Sequence, residues 1–305
     1  MTGIVKVTVP ASTSNLGPGF DTLSLALDLC NEFTFKIKES GVTIRQDSAI
    51  SLPEDSTNLV YRSFCTPFKK QKKSPPGIEI IINSKIPMAA GLGSSATAIV
   101  SGLVAANYLL KNPFSKENIL SMATKLEGHP DNVAAALYGG LTVSYSEDEQ
   151  VFVHKFPFPS ELLLVVITPN FDLPTRIARE LLPAKVPYND AVFNISCTAY
   201  LLASLLNKDW EGLKIGFQDR LHQPYRKDLV PGMDLVLQEA LKAGAFGATL
   251  SGAGPTLAAF INDKAEAETI GTAMQEKWKE FNVESKFQIL GTSEEGAKVE
   301  SLVVK

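Results

Sequence analysis

The sequence predicts an α+β protein of two domains. Its 305 residues exceed what one hydrophobic core usually serves. The first half is rich in strand-like runs broken by helices that do not follow the strands one for one. A second cycle of strand, helices and strands then starts near residue 162. That order argues for mixed sheets with helices packed on them and against a doubly wound nucleotide fold.

Alternating or β-branched runs mark strands at 4–9 (IVKVTV), 34–38, 42–46, 78–82 (IEIII), 141–145 and 151–156. Helical patterns occupy 58–68, 95–110, 116–126 and 131–137. The second cycle opens on LLLVVIT at 162–168, with helices over 174–182, 188–206 and 232–243. Strands at 247–250 and 256–262, a helix over 265–280 and a strand at 285–290 complete it. PFPSE at 157–161 divides the chain into expected domains of 1–157 and 158–305, without a flexible linker, repeat or low-complexity tract.

Composition excludes several function classes. With 45% hydrophobic and 20% charged residues the chain can bury a sizeable core, and a net charge of −4 gives no broad field for nucleic acid. The one basic run, KKQKK at 69–73, precedes SPPG and reads as a solvated loop rather than a binding face. Cys30, Cys65 and Cys197 are odd in number and lack metal or disulfide spacing, which suits a reducing compartment and a cytoplasmic location. The start alternates like a strand and carries no signal-peptide pattern. Residues 86–110 are uncharged, but their first third is Pro, Gly and Ser, so a buried helix starting near Ser94 is expected in place of a membrane span.

The chemistry concentrates in glycine turns. KIPMAAGLGSSAT at 85–97 follows a strand and opens a helix, with Gly91 and Gly93 allowing close backbone approach and Ser94 placed to cap the helix. Free N–H groups and the macrodipole at such a start favour an anion. A Walker loop would put a lysine after the last glycine; here Ser94, Ser95 and Ala96 follow. The backbone must therefore hold the phosphates, with the Ser95 hydroxyl offered to them or to a magnesium ion.

In EGHPDN, 127–132, Glu127 closes a helix where the dipole disfavours a carboxylate, so something positive should face it. Magnesium shared with Ser95 fits, and so does a lysine such as Lys125. Gly128 ends that helix and Pro130 starts the next. His129, Asp131 and Asn132 add a titratable ring, a carboxylate and an amide, the equipment for orienting a hydroxyl towards a phosphoryl group. Two further turns, PASTSNLGPGFD at 10–21 and GATLSGAGPTLAAF at 247–260, are weak evidence singly.

VPASTSNLGPGFD, PMAAGLGSSAT, EGHPDN and SGAGPT, in that order over nearly the whole chain, resemble the GHMP family of small-molecule kinases, named for galactokinase, homoserine kinase, mevalonate kinase and phosphomevalonate kinase. SNLGPGFD, EGHPDN, LPTRIAREL and HQPYR are most similar to its members that phosphorylate L-homoserine, in threonine biosynthesis. The resemblance implies an N-terminal domain like domain 2 of ribosomal protein S5 and a C-terminal ferredoxin-like domain, with ATP and acceptor meeting between them.

It also implies a phosphate-binding loop of Pro87, Met88, Ala89, Ala90, Gly91, Leu92, Gly93, Ser94, Ser95, Ala96 and Thr97. Ser95 and Glu127 would be Mg2+ ligands, Asn58 would lie near the base, and the enzyme would be a homodimer. The acceptor is a zwitterion, for which Asp21 with Asn15 can meet the ammonium. Arg179, four residues after Thr175 on one helix face, can grip the carboxylate. Arg226 matches a further substrate arginine, while Arg176 is a weaker candidate. In-line transfer from ATP would have Asn132 orient the hydroxyl, His129 bind substrate, and Asp131 either remove the proton or bind substrate.

Two rivals remain. A kinase for mevalonate or a sugar would not need an anion for an ammonium group. A metabolite-binding protein without chemistry would have no use for Ser95, Glu127, Asp131 and Asn132 together.

Overall fold

The computed structural model describes residues 3–47, 53–148 and 150–302. Two sheets organise them. In the first, β1 (Ile4–Ser14) and β2 (Leu23–Lys38) form a long antiparallel pair whose register shifts between Pro10 and Ser12. β3 (Val42–Asp47) lies at the edge, parallel to β4 (Gly77–Asn83), which pairs with the far half of β2. The hairpin of β5 (Leu141–Glu147) and β6 (Gln150–Phe156) pairs with the near end of β2.

Helices α1 (Leu59–Lys70), α2 (Ser94–Leu109), α3 (Lys116–Glu127) and α4 (Asp131–Tyr138) pack with this sheet. Val7, Phe33, Phe35, Phe64, Ile80 and Leu103 are in the resulting core. α2 is apolar nearly all round because neighbours cover it on several sides. Gly102 lets α1 approach: a Cβ there would stand 2.4 Å from the carbonyl oxygen of Val60. The uncharged run 86–110 is thus a loop and a core helix, and among the described residues no helix is long and apolar enough to cross a membrane.

The second sheet contains β7 (Leu163–Pro169), β8 (Gly247–Leu250), β9 (Leu257–Ile261) and β10 (Ser285–Leu290) in the order β10-β7-β9-β8, all antiparallel. Numbered along the chain this is 4-1-3-2, the arrangement of a ferredoxin-like βαββαβ unit. Between β7 and β8 run α5 (Thr175–Glu180), α6 (Tyr188–Asn207), α7 (Trp210–Gly216), α8 (Gln223–Arg226) and α9 (Met233–Lys242), and α10 (Lys264–Lys279) precedes β10. LLVVITP is apolar at successive positions because both faces of β7 are covered. Leu164 and Val166 pack with Leu201 and Leu213, while Val165 and Ile167 pack with Val236 and Met274.

Three local expectations change. The expected strand at 34–38 is the end of a 16-residue β2. β11 (Lys298–Leu302) returns to pair with β1, so the chain from 158 onwards does not stay with the second sheet to its end. The basic run is only partly loop, since Lys69 and Lys70 form the last turn of α1, where cations suit the helix dipole.

Candidate active site

Three glycine turns meet where the two sheets adjoin. The Leu92 carbonyl accepts from the Ser12 N–H at 3.1 Å, and the Ser14 carbonyl accepts from the Gly252 N–H at 3.1 Å. The Gly91 carbonyl accepts from the Ser251 hydroxyl at 2.7 Å. Such closeness leaves no room for side chains. A Cβ on Gly91 (φ +81°) would stand 2.3 Å from the Ser251 carbonyl oxygen, and one on Gly93 (φ +70°) would stand 2.2 Å from Ser12 Oγ. Both φ values lie in the left-handed region that glycine enters without strain.

Gly93 caps α2 in that conformation, with no side-chain cap. Ser94 is therefore the first helical residue and not the cap expected of it. The Thr97 N–H is bonded to the Gly93 carbonyl at 3.0 Å, while the N–H groups of the turn before it have no intrahelical acceptor. A serine cap would have occupied a donor that an anion can use. Ala89, Ala90, Gly91, Gly93, Ser94 and Ser95 line the cleft. Pro87, Met88 and Leu92 line a hollow behind it, and Ala96 and Thr97 are buried in α2.

Across the cleft, Ser95 Oγ donates to Glu127 Oε2 at 2.7 Å. Burial pushes the Glu127 carboxyl up, against the Ser95 hydrogen bond and the charge of His129. Among the described residues no cation lies within 4.0 Å of it. Two oxygen donors at the mouth of a phosphate-sized loop, one of them a carboxylate without a counter-ion, fit a hard cation such as Mg2+ that keeps further positions for phosphate and water.

Asp131 and Asn132 begin α4, both buried. Asp131 Oδ1 meets His129 Nδ1 at 2.5 Å and accepts from the Asn132 N–H at 2.8 Å. Burial alone would raise the Asp131 carboxyl, but the His129 hydrogen bond and charge hold it below the ordinary range. For His129, burial acts downward and Asp131 outweighs it, raising the imidazole. Each group thus favours the charged form of the other. The Asn132 amide is held on both atoms, accepting from Ser12 Oγ at 2.8 Å and donating to Ser14 Oγ at 2.9 Å.

The opposite wall carries the arginines. Arg179 on α5 grips Asp21 with two hydrogen bonds, of 2.9 and 2.5 Å. Asn15 does not reach out alone: its Oδ1 accepts from the Asp21 N–H and its Nδ2 donates to the Gly252 carbonyl. Polar atoms of Asp21, His129 and Asp131 all lie within 4.8 Å of one another. Arg226 is 1% exposed and donates from Nε to the Ala178 carbonyl and from Nη1 to the Gly252 carbonyl. Burial, then the charge of Arg179, lower it to about 10. No carboxylate lies within 4.0 Å of it among the described residues, and Nη2 has no acceptor there.

Of the expected site residues, Asn15, Asp21, Ser95, Glu127, His129, Asp131, Asn132, Thr175, Arg179 and Arg226 converge on this one cleft. Arg176 points along the surface to Glu180 at 2.9 Å. Asn58 stands apart: it caps α1 by accepting from the Val60 N–H and donates to the Pro53 carbonyl. Ser12 and Ser14, which position Asn132, and Phe20, His222 and Asp219, which surround Arg226, were not singled out from the sequence. Ser14 and Phe20 lie within the quoted SNLGPGFD and His222 within HQPYR, Ser12 lies just before the first of these in PASTSNLGPGFD, and Asp219 lies outside every quoted segment.

Known proteins with the same layout were found by sequence and by shape. The family profile "GHMP kinases N terminal domain" matches residues 58–140, and "GHMP kinases C terminal" matches 201–280. Homoserine kinase of Carboxydothermus hydrogenoformans is 43% identical over 296 residues, covering 96% of each chain. That of Halothermothrix orenii is 42% identical, over 95% of this chain and 94% of the relative. The crystal structure of homoserine kinase from Cytophaga hutchinsonii superposes with a TM-score of 0.90 at 33% identity, covering 98% of both chains.

Substituting Gly93→Ala should weaken binding of a nucleoside triphosphate by roughly tenfold or more, about 1.4 kcal/mol, because its Cβ displaces Ser12 and Asn132. Gly41→Ala is the control, since Gly41 also has positive φ (+77°) but open space around it. Titration with a fluorescent nucleotide checks this; equal affinities for the two variants would remove the argument from close approach.

Proposed function

The chain belongs to the GHMP kinase family, and from that premise we propose that it acts as a homoserine kinase. It transfers the γ-phosphoryl group of ATP to the side-chain hydroxyl of L-homoserine, giving O-phospho-L-homoserine and ADP. The observation that carries the acceptor is the charge arrangement of the cleft wall. Arg226 is a buried cation with no carboxylate within 4.0 Å among the described residues, beside an Asp21–Arg179 pair. A buried charge without a partner is costly, and a ligand carboxylate relieves that cost. Asp21, close to Asp131, offers the complementary anion for an ammonium group. Mevalonate has no such group.

ATP is the phosphate donor in this family. Its phosphates lie on the free N–H groups at the start of α2, where the helix dipole favours negative charge, and its base extends towards the first turn of α1, at Asn58. Ser95 and Glu127 would hold Mg2+, which supplies charge neutralisation at the phosphates when bound. On the acceptor side, Arg226 and Arg179 orient the carboxylate, with Asp21, steadied by Asn15, at the ammonium and Thr175 at the mouth. Asn132, fixed by Ser12 and Ser14, orients the hydroxyl.

A loose transition state asks for position and positive charge more than for a strong base. Asp131 suits that requirement: its carboxyl is held below the ordinary range, which makes it a weak base, and it favours the protonated form of His129 beside the acceptor. The division of the chain near residue 157 then corresponds to a nucleotide half and a half that carries the acceptor arginines.

The assembly is a homodimer and the location is the cytoplasm. Tyr188, Val192, Ile195, Ala199, Leu202 and Leu206 repeat at heptad spacing on α6, opposite its buried face of Asn194, Cys197, Leu201 and Leu205. Most of that stripe is exposed, Tyr188 at 84% and Ile195 at 69%. A helix apolar on two opposite faces is one that a partner covers. All three cysteines are free, as a reducing compartment maintains them.

ADP release from Mg-ATP tests the activity, with L-homoserine, D-homoserine, L-serine, L-threonine and mevalonate offered separately. Turnover should be confined largely to L-homoserine, and Glu127→Gln should lose at least about tenfold in kcat while still binding ATP. Turnover with mevalonate alone would discard the acceptor assignment. In sedimentation the protein should run at twice its 32.9 kDa chain mass and Ile195→Glu at once that mass; a monomeric wild type would refute the dimer.

A further inference from the structure

His222 takes no part in the chemistry outlined above, yet it sits directly behind Arg226. It is fully buried at the start of α8, one helical turn before Arg226. Its Nε2 lies 2.7 Å from the Gly17 carbonyl oxygen and its Nδ1 lies 3.2 Å from Arg226 Nη1. A guanidinium has no acceptor atom, so Nδ1 must accept and the proton must reside on Nε2, where it is donated to Gly17. Both ring nitrogens are then satisfied in one neutral tautomer. Burial, its largest influence, and the nearby Arg226 charge lower the imidazole below its ordinary value, against Asp219, whose Oδ2 lies 3.5 Å from Nε2.

The ring is itself fixed. Asp219 accepts from the N–H groups of Leu221, His222 and Gln223 at 3.0, 3.0 and 2.7 Å, and from Asn194 Nδ2 at 2.7 Å. Asn194 also donates to the Pro18 carbonyl at 3.1 Å. On the cleft side Phe20 stacks on the imidazole with ring centres 5.3 Å apart, and the guanidinium carbons of Arg179 and Arg226 stand 5.4 and 5.2 Å from the same phenyl ring. The turn that carries Asp21 and the arginine that lacks a carboxylate are therefore held to one another through one imidazole.

We propose that His222 is a positioning residue: as the Nε2–H tautomer it aims the Arg226 guanidinium and anchors the Gly17–Asp21 turn, so that both reach the acceptor's charged groups in register. This rests on the proposed homoserine kinase reading. Its action is indirect, through Arg226 and the turn, and it touches neither reacting atom. Protonated, the ring would present an N–H to Arg226 and lose the contact; with the proton on Nδ1 it would lose both contacts.

Steady-state kinetics on His222→Asn and His222→Phe separate positioning from folding. The Asn side chain can keep an oxygen near the Nδ1 position, facing Arg226, but cannot reach Gly17; Phe keeps the ring stack and loses both hydrogen bonds. The expected result is an acceptor KM raised roughly tenfold to a hundredfold in His222→Phe, the range expected when a buried polar partner is removed. The ATP KM and kcat should stay within about threefold of wild type, and His222→Asn should recover part of the acceptor KM. Lower kcat with both KM values unchanged, as from a smaller folded fraction, would overturn the proposal. So would wild-type KM values in His222→Asn and His222→Phe alike. Should His222→Phe not fold, an acceptor KM at the wild-type value in His222→Asn overturns it, because the Gly17 anchor is absent there. Failure of the underlying reading is seen separately, as absence of L-homoserine turnover in the wild-type arm.

Discussion

The backbone-to-backbone contact of three glycine turns is the constraint from which the rest of the site follows. Residues 12–15, 91–93 and 251–254 come from three distant parts of the chain and bond through main-chain atoms and short hydroxyls. No side chain larger than hydrogen fits at Gly91 or Gly93. Because the turns touch, the first turn of α2 is left without a side-chain cap and opens into the cleft, and Ser12 and Ser14 come near enough to orient Asn132. The free start of α2 and the Asn132 amide are two sides of one junction.

Electrostatics divides the cleft in the same way. On the α3–α4 side stand Glu127, short of a counter-charge, and the Asp131–His129 pair. On the α5–α8 side stand the Asp21–Arg179 pair and Arg226, a cation that among the described residues faces carbonyls, an imidazole, the Phe20 ring and open cleft. Arg226 is buried and Glu127 half-buried, and on the proposed reading a ligand of opposite charge meets each. Under the proposed function, an acceptor carboxylate and a metal ion would complete an electrostatic balance that the described residues leave open.

Much of the fold was legible in the sequence. β7 and the core of α2 were visible as apolar runs, and α6 as a long helical pattern, since burial and periodicity write directly into residue type. The long β2 was underestimated although LSLALDL alternates, because the polar turn before it dominated the reading. β11 was invisible: KVESL is short, charged at Lys298 and Glu300 and mostly exposed, and pairs through backbone atoms that any sequence supplies. In the site, the charged and amide residues of the four motifs were found. The supporting layer of Ser12, Ser14, Asp219 and His222 was not, because its members act by contacts across 25 to 205 positions of sequence. Ser94 was misplaced by a single residue for a local reason, since a positive φ at Gly93 lets glycine itself serve as the cap.

The central claim is that the cleft recognises both charges of an amino-acid acceptor. The most direct measurement compares kcat/KM for L-homoserine with 3-aminopropan-1-ol, which lacks the carboxylate, and with 4-hydroxybutyrate, which lacks the ammonium. The account predicts that each truncated acceptor loses roughly a hundredfold or more, because Arg226 with Arg179, or Asp21, is left without its partner. Either one reacting within tenfold of L-homoserine would contradict it.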